Sequence, residues 1–212
     1  MNAVLVGLVL FVPSLVPLLG PHAVPTRGCR TDASPSRVVQ VRLYSKSRLP
    51  EAGLVAMFDT TNRIWLSYGV RIEPGGGADA VVVVVSDTPI RHTPYGPTVL
   101  GTTLFVEGHA TPNISLSLGS AEQLAASMDM TPAFESRPPA DRDEILLRML
   151  GVALAHEIGH YLMDTERHSS SGLLQSAIST HDLQGEQLSH LGLTDDQQRR
   201  LCDGRQSAPR DN

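Results

Sequence analysis

Residues 156–160 read His-Glu-Ile-Gly-His, a spacing that suits a metal centre built on a helix. Helical residues four apart lie one above the other with Cβ atoms roughly 6 Å apart. Two imidazoles so placed can each bring a nitrogen to about 2 Å from one zinc ion. Glu157 sits about 100° round the helix from His156 and about 60° from His160, so it flanks such a metal without ligating it. The chemistry implied is hydrolysis: the metal activates water and polarises a carbonyl, while Glu157 takes the proton and passes it to the leaving amine. A catalytic zinc has three protein ligands and an open position, so a third donor is needed. His168 lies eight residues past His160. A helix ending near Met163 followed by a short turn brings His168 back to the metal. The competing reading is a helix that happens to carry two core or surface histidines. His181 and His190, in a polar C-terminal region, read as solvated rather than ligating.

The element that must position these residues begins near Asp141. Asp141-Arg-Asp-Glu144 predicts a capping box, and its acid suits the first turn. From Ile145 to Leu162 the chain is apolar, and positions 145, 149, 152, 156, 160 and 163 share one face. The histidines thus extend an apolar stripe and point inward. Upstream, Val38–Tyr44 alternates apolar and polar from Val39 onward and predicts a strand with one half-buried face. Pro50 to about Tyr68 suits an amphipathic helix. Val70–Glu73 is a short strand closed by Pro74-Gly-Gly-Gly77, and Ala80–Val85 is a β-branched run expected to be covered on both faces. Val99–Val106 and Ile114–Leu118 predict further strands, Ala121–Met130 a helix, and Leu193–Leu201 a short helix with Thr194 as its N-cap. The order β-α-β-β before the histidine helix predicts an α+β fold.

Composition fits one domain: 212 residues, 41% hydrophobic and 18% charged. A formal net charge of −5 without a Lys/Arg-rich block argues against nucleic-acid binding. Met1–Gly20 carry no charge and Val4–Leu19 is almost wholly apolar, which predicts a signal peptide or N-terminal anchor over residues 1–23. A linker follows over 24–37, and the domain proper spans 38–212. The expected location is secreted or periplasmic, with membrane contact only if the N-terminal segment stays uncleaved. Cys29 and Cys202 are the two cysteines and in an exported protein could form one disulfide. Asn113-Ile-Ser115 fits a glycosylation sequon.

His-Glu-x-x-His, a third His at 168, then Ser-x-x-Gly-Leu with Gly172 resembles the metzincin clan of zinc metallopeptidases, especially its matrixin-like bacterial members. The resemblance covers about residues 38–203. It implies a twisted mixed β-sheet with an upper helix, a zinc-binding active-site helix and a small C-terminal subdomain ending in a helix. It implies Zn2+ on His156, His160 and His168, Glu157 as the catalytic residue of an endopeptidase, a peptide or protein substrate, and a monomer. It also implies that Val99–Val106 is an edge strand along which an extended peptide pairs. Two departures stand out. The turn to the third histidine is two residues longer than the clan's, because Met163 and Glu166 occupy the clan's Gly and third-His positions. Asp164 or Thr165 must then adopt the unusual backbone that Gly would supply. Leu174 stands at the position of the clan's supporting Met. Glu166, in the standard register, is therefore an alternative third ligand, as is Glu186 by analogy with the thermolysin-like clan. The irregular turn and missing Met also leave open a zinc-binding domain of the same fold that acts in protein binding with little or no turnover.

Overall fold

Along Arg37–Lys46 (β2), Val39, Val41 and Leu43 are buried while Val38, Gln40, Arg42 and Tyr44 face solvent, as strict alternation requires. The computed structural model describes residues 3–10, 37–90, 98–128, 130, 132–178 and 188–206. Besides β2, its strands are Ala3–Leu10 (β1), Val70–Pro74 (β3), Val81–Ser86 (β4), Thr98–Val106 (β5) and His109–Ser117 (β6). They form one mixed sheet in the order β1-β5-β6-β4-β2-β3. β3, β2, β4 and β6 run parallel, β5 is antiparallel to β6, and β1 is antiparallel to β5. With the helices described next, this is an α+β architecture. β5 and β6 join through Glu107-Gly108, both at positive φ (54° and 82°), the geometry of a two-residue hairpin turn that follows the sheet twist.

The helix expected over residues 50–68 is broken. Glu51–Leu54 (α1) ends at Val55, Met57–Trp65 (α2) follows, and Leu66–Tyr68 tightens into a 3₁₀ turn before Gly69 reverses the chain. Next come Leu118–Ser127 (α3), capped by the Ser117 hydroxyl on Ser120 N–H, and Pro139–Met163 (α4). Asp195–Gln206 (α5) is the last helix, and Thr194 caps it as expected: its Oγ1 accepts from Gln197 N–H while Gln197 Oε1 accepts from Thr194 N–H.

Two expectations need correction. α4 starts two residues before Asp141, with Pro138 as N-cap and no side-chain cap bond. Pro139 at the first helical position lacks an N–H that would be orphaned there anyway, so the start is set by proline, and Asp141 sits in the first turn. β4 is not covered on both faces. Val81, Val83 and Val85 are buried, but Val82 and Val84 are only partly so. The buried residues of α2, α3 and α4 form one cluster with a single face of the sheet, so a continuous valine run here reports β propensity, not double burial.

α2 is seated on α4 by buried polar bonds as well as packing. Thr61 Oγ1 donates to Gly151 O at 2.9 Å, and Trp65 Nε1 donates to Ala155 O at 3.1 Å. A Cβ added at Gly151 would come within 2.6 Å of Met57 O and 2.7 Å of Thr60 Cβ. Gly151→Ala should therefore force the two helices apart and cost about 1–3 kcal/mol, measurable as a lowered denaturation midpoint. A midpoint at the wild-type value would mean the helix pair is not close-packed there.

Candidate metal centre

Helix α4 runs 25 residues, and from Met149 to His160 every residue is buried. At its end Asp164 takes the left-handed conformation at φ 44°, a geometry that Asp tolerates better than most side chains. This is one of the two residues expected to replace the missing glycine. The reversal is held by Thr165 N–H on His160 O at 3.2 Å. The Asp164 carboxylate is itself pinned, accepting from Ala110 N–H at 2.7 Å and pairing with His109 Nδ1 at 2.7 Å. Burial pushes the Asp164 carboxyl up, but the bonds from His109 and Ala110 outweigh it and hold the group below its ordinary value. The Asp164 partner in turn raises His109.

The long turn brings three imidazoles together. One ring nitrogen from each of His156, His160 and His168 lies within 4.8 Å of the other two, close enough to hold a metal ion. His156 Nδ1 meets Leu173 O at 2.7 Å and His160 Nδ1 meets Thr165 O at 2.6 Å. A carbonyl oxygen only accepts, so both Nδ1 atoms carry the proton and donate. Both Nε2 atoms then hold a bare lone pair in the neutral ring, and they face each other at 2.9 Å. Two facing lone pairs repel unless a cation takes them. A proton is disfavoured, because burial drives His156 far below its usual value and lowers His160 to about 4. His168 is lowered by the same cause. Its Nε2 is buried and has no hydrogen-bond partner among the described residues. Three neutral imidazoles with lone pairs turned inward fit a divalent transition metal.

Leu173 and Leu174 form the floor. Leu174 is buried, and a Cβ on Gly159 would stand 2.8 Å from its Cδ2, so it packs on the helix between the two histidines. The turn closes through Ser169 N–H on Leu174 O at 2.7 Å. The C-terminal segment clamps both ends of it: Gln197 Nε2 donates to Ser169 Oγ at 3.0 Å and Leu173 N–H to Gly192 O at 3.0 Å.

Glu157 is fully buried, and its carboxylate meets β5. Thr103 Oγ1 lies 2.8 Å from Glu157 Oε2 and 3.1 Å from its main-chain oxygen. A Cβ at Gly101 would stand 3.0 Å from Glu157 Cγ, so the missing side chain makes room for the carboxylate. Gly101, Thr103 and the His109–Asp164 pin had no signal in the sequence, since each acts across about fifty residues of chain with no shared motif.

Of the other candidates, Glu166 is partly exposed and is not in the histidine group. His190 is exposed, and Tyr161 packs against the core. Asn113 is exposed on β6. Glu186, His181 and Cys29 lie outside the described residues. Cys202 on α5 is disulfide-bonded. Comparison with family models, with curated proteins and with solved structures finds no match.

The depressed histidines set a pH response for the metal-free protein. Above about 6.5 the imidazoles are neutral whether folded or unfolded, so the stability they confer is complete. As pH falls towards 4, the value of His160, the unfolded chain binds protons that the folded site refuses, and stability is lost. Denaturation midpoints of chelator-treated protein should fall across this window; midpoints constant from 6.5 to 4 would contradict the neutral-ring assignment.

Proposed function

We propose that the chain is a zinc-dependent endopeptidase of the metzincin clan, with His156, His160 and His168 as ligands and Glu157 as general base. The observation that carries this reading is the pair of inward-facing Nε2 lone pairs beside the orphaned His168 Nε2. A buried carboxylate on the next residue, held by a strand hydroxyl, adds what a purely structural site does not need. The mixed sheet lying against α4, and the C-terminal segment ending in a helix, agree with what the clan resemblance implies. The disulfide at Cys202 suits the oxidising compartment expected for an exported protein. No described helix is long and apolar enough to cross a membrane.

When bound, zinc lowers the pKa of water towards neutrality and polarises a carbonyl oxygen. The chain's own residues do the rest. Leu173 O and Thr165 O keep Nδ1 protonated and so keep Nε2 of His156 and His160 available. Glu157 removes a proton from the attacking water and delivers it to the departing amine. Thr103 fixes the carboxylate through Oε2, so Glu157 does not swing among rotamers. One observation favours the second reading, a zinc-binding domain that acts in protein binding: Glu157 and His160 are both shut off from solvent.

Zinc content and casein cleavage separate the readings. Glu157→Ala should keep its zinc and lose cleavage by about 10²–10⁴-fold. His168→Ala should lower zinc affinity by more than about tenfold, a loss at least as large as that from removing a supporting partner. Unchanged cleavage in Glu157→Ala would remove Glu157 from the mechanism. Full zinc affinity in His168→Ala would return the third ligand to Glu166 or Glu186. A wild type with zinc but no cleavage of any protein would favour the binding domain.

A further inference from the structure

The two ends of the sheet are built differently. At one end β3 reads Val-Arg-Ile-Glu-Pro. Arg71 and Glu73 are paired at 3.9 Å and Pro74 offers no N–H, three features that keep a further strand from adding. Next to the other end, one strand in from β1, β5 reads Thr-Val-Leu-Gly-Thr-Thr-Leu-Phe-Val, with no charge and no proline. Its outer side is an unguarded pairing template, and it runs directly past the catalytic carboxylate, since Gly101 and Thr103 are the residues against Glu157.

That template is filled by the chain itself. β1 pairs antiparallel with β5 from Ala3 opposite Val106 to Leu10 opposite Thr98, with Val6 opposite Thr103 and Gly7 opposite Thr102. β1 also approaches α4. Glu157, His156 and His160, on the helix that β1 approaches, are wholly buried. β5 is therefore not the sheet edge that the sequence leads one to expect.

We propose that residues 3–10 are an intramolecular occupant of a strand-docking edge on β5, which opens to an extended polypeptide only when they leave. The inference rests on the peptidase reading for the identity of the incoming chain, but the strand exchange itself does not require turnover. Main-chain ladder bonds are sequence-tolerant, so one extended peptide can replace another in the same register. Cleavage of the chain after β1 during export would release the strand.

The test uses the full chain. Adjacent N–H groups of an edge strand point alternately to and from the partner, so Val4→Pro/Leu5→Pro must delete one ladder donor whichever faces β5. The probe is a fluorescein-labelled peptide of residues 1–12 with C-terminal lysines, followed by anisotropy in a Glu157→Gln background. The double-proline variant should bind it at least tenfold more tightly than the chain with native β1, and with Glu157 present it should cleave casein at least tenfold faster. Equal peptide binding in both chains would overturn the proposal. Tighter binding with no cleavage would leave the docking edge standing and count against the peptidase instead. Hydrogen exchange on the wild type needs no variant: β1 and the amides of β5 facing it should exchange together, at least tenfold faster than those of β2 and β4. Protection equal to the central strands would also overturn it.

Discussion

Two main-chain carbonyls decide the chemistry of this protein. Leu173 O and Thr165 O each accept from an imidazole Nδ1, and in doing so they dictate which nitrogen of His156 and His160 is left without a proton. Had those carbonyls turned elsewhere, the rings could adopt the other tautomer and bond to each other, and the cluster would be an ordinary buried histidine pair. The metal affinity of the site therefore depends on where the chain goes after the helix as much as on the ligands themselves.

That path is held from several directions. Asp164 reverses the chain and is fixed to the start of β6 through His109 and Ala110, which orients Thr165 O. Beyond it, the turn carrying His168 and Leu173 is closed on itself and then clamped by Gly192 and Gln197 from the C-terminal segment. The C-terminal segment is tied to the upstream domain as well, since Leu193 N–H donates to Tyr68 Oη at 2.7 Å. The turn can reverse there because Asp164 supplies the positive φ and its carboxylate compensates part of that strain. Leu174 fills the space beneath Gly159, where an apolar side chain suffices for packing.

The carboxylate side of the site is controlled by the sheet rather than the turn. Glu157 faces β5, where a glycine gives it space and a threonine hydroxyl gives it a bond. The same strand carries the open ladder that β1 occupies. The Glu157 contacts and the β1 pairing thus share one element, so a change in what pairs with β5 acts next to the buried carboxylate.

The local patterns were legible in the amino-acid order. The alternation of β2, the stripe along α4, the helix end at Met163, the Thr194 cap and the trio His156, His160 and His168 all follow from short-range periodicity or spacing. Where local reading failed, a long-range term had won: the valine run of β4 is covered on one face because the helices gather there, and Pro139 sets the start of α4 ahead of Asp141. Ligand tautomers, the Thr103 and Gly101 contacts with Glu157 and the pairing of β1 over β5 were decided by tertiary structure alone. Apart from the His160–Thr165 bond inside the turn, each joins residues about fifteen to a hundred positions apart, and hydrogen bonds between distant segments leave no periodicity in a sequence. The chain order determined which groups could do chemistry; the fold decided which nitrogen, which oxygen and which sheet edge are presented for it.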